Sequence, residues 1–279
     1  MSTYPLPDIS LEGRAIIVTG GDRGLGRSMA LAMAQCGASL VIASVDKDGC
    51  DRVAAEIDEL DGPGRGLAVQ TDITDLGQCR RLIGRTLETF DRLDVLFNNA
   101  RRLMRGPGLP PSGNSLPLWE TAPEIYAQTI TVNVTGTFFM SRAAVEYFRD
   151  SRTGKIINIS TSRRNFSGPH NSPYGVTKAA VESQTLIWAR DLDRTDVTVN
   201  SLLPGGASDT DPLRPKKEGQ NLLPVDIMDP LAVWLASDQS DGTNGSRFVG
   251  KLWNPDLSPT EAANGAREEP VFAEQVAPA

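Results

Sequence analysis

Short apolar runs alternate with longer amphipathic segments along most of the chain. The runs are rich in Val, Ile and Leu without polar alternation, which predicts strands buried on both faces. Seven such runs lie at residues 15–19, 39–43, 67–70, 95–98, 155–160, 197–203 and 247–252. The segments between them predict helices at about 25–36, 47–60, 76–91, 119–150, 174–194 and 228–237. This alternation predicts an α/β fold with one doubly wound parallel sheet of about seven strands and helices on both faces.

Two segments interrupt the alternation. Residues 101–118 are rich in Pro and Gly and predict a long loop after the fourth predicted strand, and residues 258–279 are a polar stretch rich in Ala and Glu, here called the tail. The composition of the tail predicts flexibility. No linker or internal repeat divides the remaining chain, so we expect a single domain over residues 1–257.

The charge balance argues against several classes of partner. The 279 residues carry a formal charge of -7 and the pI is about 4.9, so neither nucleic acid nor an anionic membrane is expected to bind. No apolar run is long enough to cross a bilayer, and the first ten residues do not resemble a signal peptide. Three widely spaced cysteines fit a reducing compartment, and a single histidine leaves little material for a metal site. We therefore expect a cytoplasmic protein without a metal ion.

A glycine-rich stretch joins the first predicted strand to the first predicted helix. It reads Thr-Gly-Gly-Asp-Arg-Gly-Leu-Gly over residues 19–26. Glycines at Gly20, Gly24 and Gly26 permit a tight turn with the backbone close to a ligand. The amino end of the following helix offers free N–H groups and a positive dipole to a phosphate. The stretch therefore predicts a pyrophosphate site.

A tyrosine and a lysine lie one turn apart in a predicted helix. Tyr174 and Lys178 are four residues apart and therefore share one helix face. A positive charge beside a phenol stabilises the phenolate, which favours proton exchange with an alcohol or ketone oxygen at neutral pH. Many helices carry such a pair by chance, so its weight comes from the motifs that accompany it.

Taken in order, these motifs resemble the short-chain dehydrogenase/reductase family, of its classical type. The resemblance covers roughly residues 11–253. Its motifs are TGGDRGLG at 19–26, Asp72 after the third strand, NNA at 98–100, Asn133, INISTS at 157–162, YGVTK at 174–178 and the Pro204-Gly205 turn. The resemblance implies a Rossmann-type single domain with a lid near residues 205–228, an NAD(P) cofactor, and a homodimer or homotetramer.

The resemblance also implies residue roles at the cofactor. Asp72 would bond the adenine amino group, Asn98 would brace the sheet beside the cofactor, and Lys178 would hydrogen-bond the nicotinamide ribose. The full set of implied cofactor-binding residues is Gly20, Asp22, Arg23, Gly24, Leu25, Gly26, Ser44, Asp72, Ile73, Asn99, Ala100, Lys178, Pro204, Gly205 and Thr210.

The implied catalytic group acts on a ketone or a secondary alcohol. Tyr174 would be the general acid/base, Lys178 would stabilise its phenolate, and Asn133 would hold the water of a proton relay. The hydroxyl that orients the substrate carbonyl is either Thr161 or Ser162. The spacing of thirteen residues before the tyrosine favours Thr161, whereas the residue type favours Ser162.

Three positions depart from the family pattern, one of them the usual Asp-Gly-Gly near the end, which is replaced around Trp253-Asn254. Arg101 follows Asn-Asn-Ala, where the family has a glycine that lets the backbone approach the cofactor. The spacing after the turn at Pro204 is stretched, so either Ser208 or Thr210 would bond the nicotinamide carboxamide.

The second strand and the glycine loop favour NADP over NAD. Ser44 occupies the strand end where an NAD enzyme usually has an Asp, and it would not repel a 2′-phosphate. Arg23 lies where the family often places a basic partner for that phosphate. Val45, where many NADP enzymes carry a second Arg, and the nearby Asp46 leave NAD as the alternative.

The loops after the strands suggest an anionic substrate. Basic residues gather there although the chain is acidic overall: Arg101, Arg102, Arg105, Arg163, Arg164, His170, Arg214, Lys216 and Lys217. We hypothesise a small-molecule substrate that carries a carboxylate or phosphate. The alternative is a solvated rim that serves the cofactor or subunit contacts. Two rival functions also stay open: an NAD-dependent alcohol dehydrogenase, and a catalytically silent protein that senses the dinucleotide.

Overall fold

One eight-stranded sheet runs through the computed structural model, which describes residues 4–102, 116–210 and 221–272. Its strands are β1 (Ala15–Thr19), β2 (Ser39–Ser44), β3 (Gly66–Gln70), β4 (Val95–Asn98), β5 (Thr153–Ile159), β6 (Asp196–Leu203), β7 (Arg247–Val249) and β8 (Arg267–Glu268). The order across the sheet is β3-β2-β1-β4-β5-β6-β7-β8, and all pairs are parallel except β7 with β8. The predicted α/β fold, a doubly wound sheet with helices, is confirmed.

Helices cover both faces of the sheet. They are α1 (Gly24–Gln35), α2 (Lys47–Asp58), α3 (Leu76–Phe90), α4 (Pro123–Ile130), α5 (Thr137–Ser151), α6 (Arg164–Ser167), α7 (Tyr174–Asp191), α8 (Asp229–Ala236) and α9 (Pro259–Gly265). Alternate residues of β1 enter opposite cores, because successive side chains of a strand point to opposite faces. Ile16 packs in a cluster with Met29 and Trp234, and Ile17 packs in the other cluster with Leu82 and Phe148.

The long helix predicted over 119–150 has internal structure. A short 3₁₀ turn at Leu118–Glu120 precedes α4, and a π-helical segment at Thr131–Gly136 joins α4 to α5. The apolar spacing indicated helix but could not reveal this local change of hydrogen bonding. Such π segments occur frequently at functional sites, and this one carries the buried Asn133.

Part of the polar tail, whose composition predicts flexibility, has regular secondary structure. Residues 259–265 form α9, whose first turn is closed by Glu261 accepting from the backbone N–H of Ser258 at 3.2 Å. Residues 267–268 then form β8, which pairs antiparallel with β7. The reason is burial, since Ala262, Ala263 and Ala266 are inaccessible to solvent. Composition alone could not show that these small side chains face a core.

Several expectations concern residues outside the described ranges. Residues 103–115 of the predicted loop, 211–220 of the predicted lid and 273–279 of the tail lie there, together with Arg105, Arg214, Lys216 and Lys217. Among the residues that are described, none of the helices combines the length and the hydropathy needed to span a bilayer. The same ranges contain no group of three or more His, Cys, Asp or Glu side chains that could hold a metal ion.

Candidate active site

The glycine loop lies where the strand order of the sheet reverses. The strand β1 is flanked by β2 on one side and by β4 on the other, and the loop follows its carboxyl end. In open α/β sheets, ligands bind in the crevice at this point. The fold therefore brings the loop, the end of β2 and the end of β4 to one edge.

Two positions of the loop accept only glycine. Gly20 has φ +62°, and a Cβ there would lie 2.9 Å from the Cα of Ala100. A Cβ on Gly26 would lie 2.3 Å from the carbonyl oxygen of Gly20. The amide of Asn99 donates to the carbonyl oxygens of Thr19 and Gly20, each at 2.9 Å. The loop is thus pressed against the end of β4 and held there by Asn99.

The first turn of α1 fits an anion. Its N-cap residue, Arg23, makes no side-chain capping hydrogen bond, and no acidic residue lies in the turn. Uncapped N–H groups and the helix dipole favour a phosphate. Leu25 is buried behind this turn, and the side chain of Thr210 lies 3.4 Å from the position of a Cβ on Gly24. The loop, the open turn and Thr210 together form a cradle that suits a dinucleotide pyrophosphate.

The end of β2 contributes a hydroxyl, and the neighbouring glycine loop contributes a buried carboxylate. Ser44 is half-buried and its Oγ accepts from the N–H of Asp46 at 3.3 Å. Asp22 is buried, with Oδ2 3.5 Å from the Nε of Arg23. Arg52, which sequence reasoning missed, donates to the carbonyl oxygen of Asp22 at 3.1 Å. The sequence did not single out Arg52, because arginines are common on the exposed faces of amphipathic helices.

Asp72 and Ile73 follow β3 at the same edge. The Oδ1 atom of Asp72 accepts from the N–H and the hydroxyl of Thr74 at 2.9 and 2.7 Å. Ile73 is buried and packs where a side chain on Gly136 would otherwise stand. Asp72 therefore closes a turn of its own, and a contact to adenine would add to this role.

Tyr174 and Lys178 occupy the first turns of α7, as their spacing predicts. Both are buried, with exposed fractions of 6% and 3%. The ammonium of Lys178 donates to the carbonyl oxygen of Ile159 at the end of β5, at 2.6 Å. Burial, and next the positive charge of Arg101, lower the pKa of Lys178 to about 7, while Glu182 acts in the opposite direction. The pair lies at the carboxyl edge of the sheet beside a second cation.

Asn133 ties the segment after β4 to α7. Its Oδ1 accepts from the N–H of Arg102 at 2.7 Å, and its Nδ2 donates to the carbonyl of Arg102 and to the hydroxyl of Thr177, each at 3.2 Å. Thr177 in turn donates to the carbonyl of Tyr174 at 2.7 Å. The amide of Asn133 is therefore occupied by protein groups, and its hydrogen bonds fix the backbone next to Arg101.

Thr161 and Ser162 follow β5 directly. Thr161 is buried, and its hydroxyl accepts from the amide of Asn165 at 2.6 Å. Ser162 is half-buried, and its carbonyl accepts from the N–H of Asn165 at 2.9 Å. Both hydroxyls remain candidates, although only the backbone of Thr161 is anchored from the far side, by Arg247.

A buried ion pair behind this site escaped sequence reasoning. Arg247 pairs with Glu182 through Nη1, donates from Nη2 to the carbonyl of Thr161 at 2.8 Å, and reaches Glu268 through Nε at 3.1 Å. Ser201 donates to the other oxygen of Glu182 at 3.1 Å. One signal was available, since Glu182 lies four residues after Lys178 on the same helix face.

The turn after β6 is shaped by β7. Gly205 has φ +92°, and a side chain there would collide with Lys251 and Val249. The carbonyl of Pro204 accepts from the N–H of Lys251 at 3.1 Å. Of the two hydroxyls that follow, Thr210 lies beside the glycine loop, whereas Ser208 is buried in a bridge to Leu223.

Asn98 braces the centre of the sheet. Its amide donates to the hydroxyl of Ser141 at 2.8 Å and to the side-chain oxygen of Asn158 at 2.9 Å. All three residues are buried. Two residues later, Ala100 donates its N–H to the hydroxyl of Thr19 at 3.1 Å. These contacts fix the position from which Arg101 leaves the sheet.

Comparison with known proteins identifies similar dehydrogenases and reductases. The family model for short chain dehydrogenases matches residues 14–221. The chain is 31% identical over 256 residues to 2-dehydro-3-deoxy-D-gluconate 5-dehydrogenase of Escherichia coli, covering 86% of this chain and 94% of that protein. It is 31% identical over 266 residues to fluoren-9-ol dehydrogenase of Terrabacter sp., covering 88% of this chain and 73% of that protein.

A solved structure agrees. The 3-ketoacyl-(acyl-carrier-protein) reductase of Brucella melitensis, complexed with NADH, superposes with a TM-score of 0.74 at 28% identity, covering 85% of this chain and 96% of that one. The region matched by the family model, residues 14–221, includes the glycine loop and the Tyr174–Lys178 pair. The relatives are named dehydrogenases and reductases acting on alcohol or ketone groups. The chain belongs to the short-chain dehydrogenase family of oxidoreductases.

Proposed function

We propose that this protein is an NADP-dependent oxidoreductase, a ketoreductase or alcohol dehydrogenase, that interconverts a ketone and a secondary alcohol. The observation that carries the proposal is the buried Tyr174–Lys178 pair at the same sheet edge as the glycine cradle. A relative named for a secondary alcohol, fluoren-9-ol, supports the reaction class. When bound, the nicotinamide supplies or accepts the hydride.

The chain's own residues handle the proton and the substrate oxygen. In reduction, the hydroxyl of Thr161 or Ser162 donates a hydrogen bond to the carbonyl oxygen, and Tyr174 gives that oxygen its proton. Lys178 stabilises the phenolate that remains. With a pKa of about 7, Lys178 can also exchange a proton near neutrality. In oxidation the same groups act in reverse, with Tyr174 as the base.

Asn133 holds the protein around this pair. In our proposal it positions the backbone of Arg102 and the hydroxyl of Thr177, and a relay water would have to use its remaining hydrogen-bonding capacity. At the cofactor, Gly20, Gly24 and Gly26 would hold the pyrophosphate. Ser44, Asp72, Ile73, Asn99, Ala100, Pro204, Gly205 and Thr210 would line the rest of the dinucleotide.

Replacing Tyr174 by Phe tests the reaction. We expect the variant to bind NADPH normally and to lose roughly 10²–10⁴-fold in kcat, because general acid catalysis contributes about that much. Nicotinamide absorbance with a panel of ketones and alcohols gives the rates, and fluorescence titration gives cofactor binding. Tyr147→Phe, a half-buried tyrosine on α5, is the matched control. Near-normal turnover by Tyr174→Phe would refute the mechanism.

The preference for NADP rests on Ser44 and Arg23. The hydroxyl of Ser44 carries no charge to repel a 2′-phosphate, and the side chain of Arg23 is 83% exposed beside the loop. Asp46 close by, and the NADH bound to the Brucella melitensis relative, support NAD as the alternative. Dissociation constants of NADPH and NADH for the protein and for Arg23→Gln decide between them. We expect Arg23→Gln to weaken NADPH selectively, and equal weakening of both would contradict this assignment.

We also propose an anionic substrate and a homo-oligomer in the cytoplasm. One relative is named for a gluconate, which carries a carboxylate. Phe138 on α5 and Ile187 on α7 are 43% and 51% exposed, and an apolar face of this kind suits a second copy. Light scattering after size exclusion distinguishes a homodimer, a homotetramer and a monomer, and a monomer would overturn this part.

The silent sensor remains a rival because Arg101 stands beside the site. A sensor would bind NADPH with the affinity of an enzyme yet oxidise it with no ketone of a broad panel. Turnover of any member of the panel that disappears in Tyr174→Phe excludes this rival.

A further inference from the structure

Arg101 leaves the backbone from a fixed point in the candidate active site. On one side, the N–H of Ala100 donates to the hydroxyl of Thr19 at 3.1 Å. On the other side, the side chain of Asn133 bonds both the N–H and the carbonyl of Arg102, at 2.7 and 3.2 Å. The same Asn133 bonds Thr177, one residue before Lys178. Arg101 is therefore held between the glycine loop and the start of α7.

The charges around Arg101 are not balanced. Within the described ranges, neither Arg101 nor Arg102 forms an ion pair, and the buried Nε of Arg102 has no hydrogen-bond acceptor. Lys178 adds a second cation close enough for Arg101 to lower its pKa. Glu182 is the acidic group that faces Lys178, and it is already paired with Arg247. Among the residues that the structure describes, this corner thus carries more positive than negative charge.

We infer that Arg101 is the receptor for a negatively charged group of the substrate, a carboxylate or phosphate carried near the reacting carbon. The inference rests on the proposed function and names the class of substrate for that site. Arg101 is exposed, so its guanidinium is free to form a forked pair with such a group.

Binding of the anion would also change Lys178. A carboxylate on Arg101 cancels the charge that disfavours the Lys178 ammonium, so the ammonium persists to higher pH. The groups that set this balance are Arg101, Glu182 and, behind Glu182, Arg247. A neutral substrate leaves the repulsion in place. An anionic substrate would therefore keep Lys178 protonated, and this ammonium is the group that stabilises the phenolate of Tyr174 in our proposal.

Binding in dead-end complexes tests the inference without turnover. The probes are acetoacetate and its methyl ester, which share one ketone and differ in charge. Each is titrated by calorimetry into protein saturated with NADP⁺, which has no hydride to give. We expect acetoacetate to bind at least about tenfold more tightly than the ester, and Arg101→Gln to remove this preference while leaving the ester unchanged.

Two further variants make the result specific. Arg101→Lys keeps the charge but not the fork, so we expect it to retain part of the preference. Arg149→Gln changes net charge equally at an exposed position at the end of α5, and we expect no effect. An equal preference in the protein and in Arg101→Gln, or an equal loss in Arg149→Gln, would overturn the inference.

The pH dependence supplies a readout that a structural role would not move. With NADPH as reductant, we expect kcat/KM for acetoacetate to persist to higher pH than kcat/KM for the ester, and the two profiles to coincide in Arg101→Gln. Turnover of both ketones with equal binding overturns the role of Arg101 and leaves the proposed function standing. If acetoacetate binds more tightly than the ester but neither ketone oxidises NADPH, the proposed function is overturned and the role of Arg101 in binding anions stands.

Discussion

Replacing Arg247 by Met tests how strongly the buried ion pair with Glu182 depends on both partners. The side chains of Arg247 and Glu182 are 1% and 3% exposed, so neither charge can turn to water. Arg247 also serves the carbonyl of Thr161 and the carboxylate of Glu268. Removing it leaves a buried carboxylate without its counter-ion.

The expected loss of stability follows from that burial. Breaking one side of a buried pair costs about 3–5 kcal/mol, because the remaining charge is uncompensated. At about 3 °C per kcal/mol for a domain of this size, the melting temperature should fall by roughly 10 °C. Replacing both Arg247 and Glu182 by Met removes both charges and should restore most of this loss.

The assay is urea unfolding followed by circular dichroism, with thermal unfolding in parallel. Arg80→Met is the matched control, because Arg80 pairs with Glu146 on the surface, where its side chain is 52% exposed. We expect a change in the free energy of unfolding close to zero from that substitution, because an exposed ion pair contributes little to stability. A similar value for Arg247→Met would refute the reasoning, as would a double variant whose loss equals the sum of the two single losses.

Three further outcomes are expected. Gly26→Ala should lower the free energy of unfolding by roughly 1–3 kcal/mol, because the new Cβ would lie 2.3 Å from the carbonyl oxygen of Gly20. Gly84→Ala, with open space around it, should be neutral or stabilising in the same thermal unfolding assay. Equal effects of the two substitutions would contradict this. Lys178→Met should alter the pH dependence of stability without cofactor: the unfolded chain keeps the lysine proton to pH 10.5 and the folded protein only to about 7, so wild-type stability should rise with pH across that window relative to the variant. A constant difference in urea midpoint would refute it. Burial raises the pKa of Cys50 and Cys79 to about 12, so a thiol reagent at pH 8 should modify these two residues only after unfolding. Rapid labelling of Cys50 or Cys79 in the folded protein would contradict this.

The sheet was largely predictable because its strands are short apolar runs buried on both faces. Each of the seven predicted runs overlaps a parallel strand, and the glycine loop and Tyr174 fall where the pattern places them. In a doubly wound fold, the order of strands and helices already brings these motifs to one edge. The spacing of four residues likewise placed Lys178 on the face of Tyr174.

The rest depends on contacts between residues that are distant in sequence. The pair of Glu182 with Arg247 joins positions 65 residues apart, and a lone arginine at the start of an apolar run gives no sign of its partner. The π-helical segment around Asn133 has the same apolar spacing as an ordinary helix. The hold of Asn133 on Arg102 is likewise a tertiary contact, which periodicity does not encode.

The reversal of direction between β7 and β8 determines how the sheet ends. An exposed outer strand offers unpaired N–H and C=O groups to any extended segment that meets it. Here β8 pairs with the outer side of β7, and Phe248 lies opposite Arg267. The guanidinium carbon of Arg267 lies 5.5 Å from the centroid of the Phe248 ring. A protein shortened before Arg267 would lose this pairing, so β8 covers the outer side of β7.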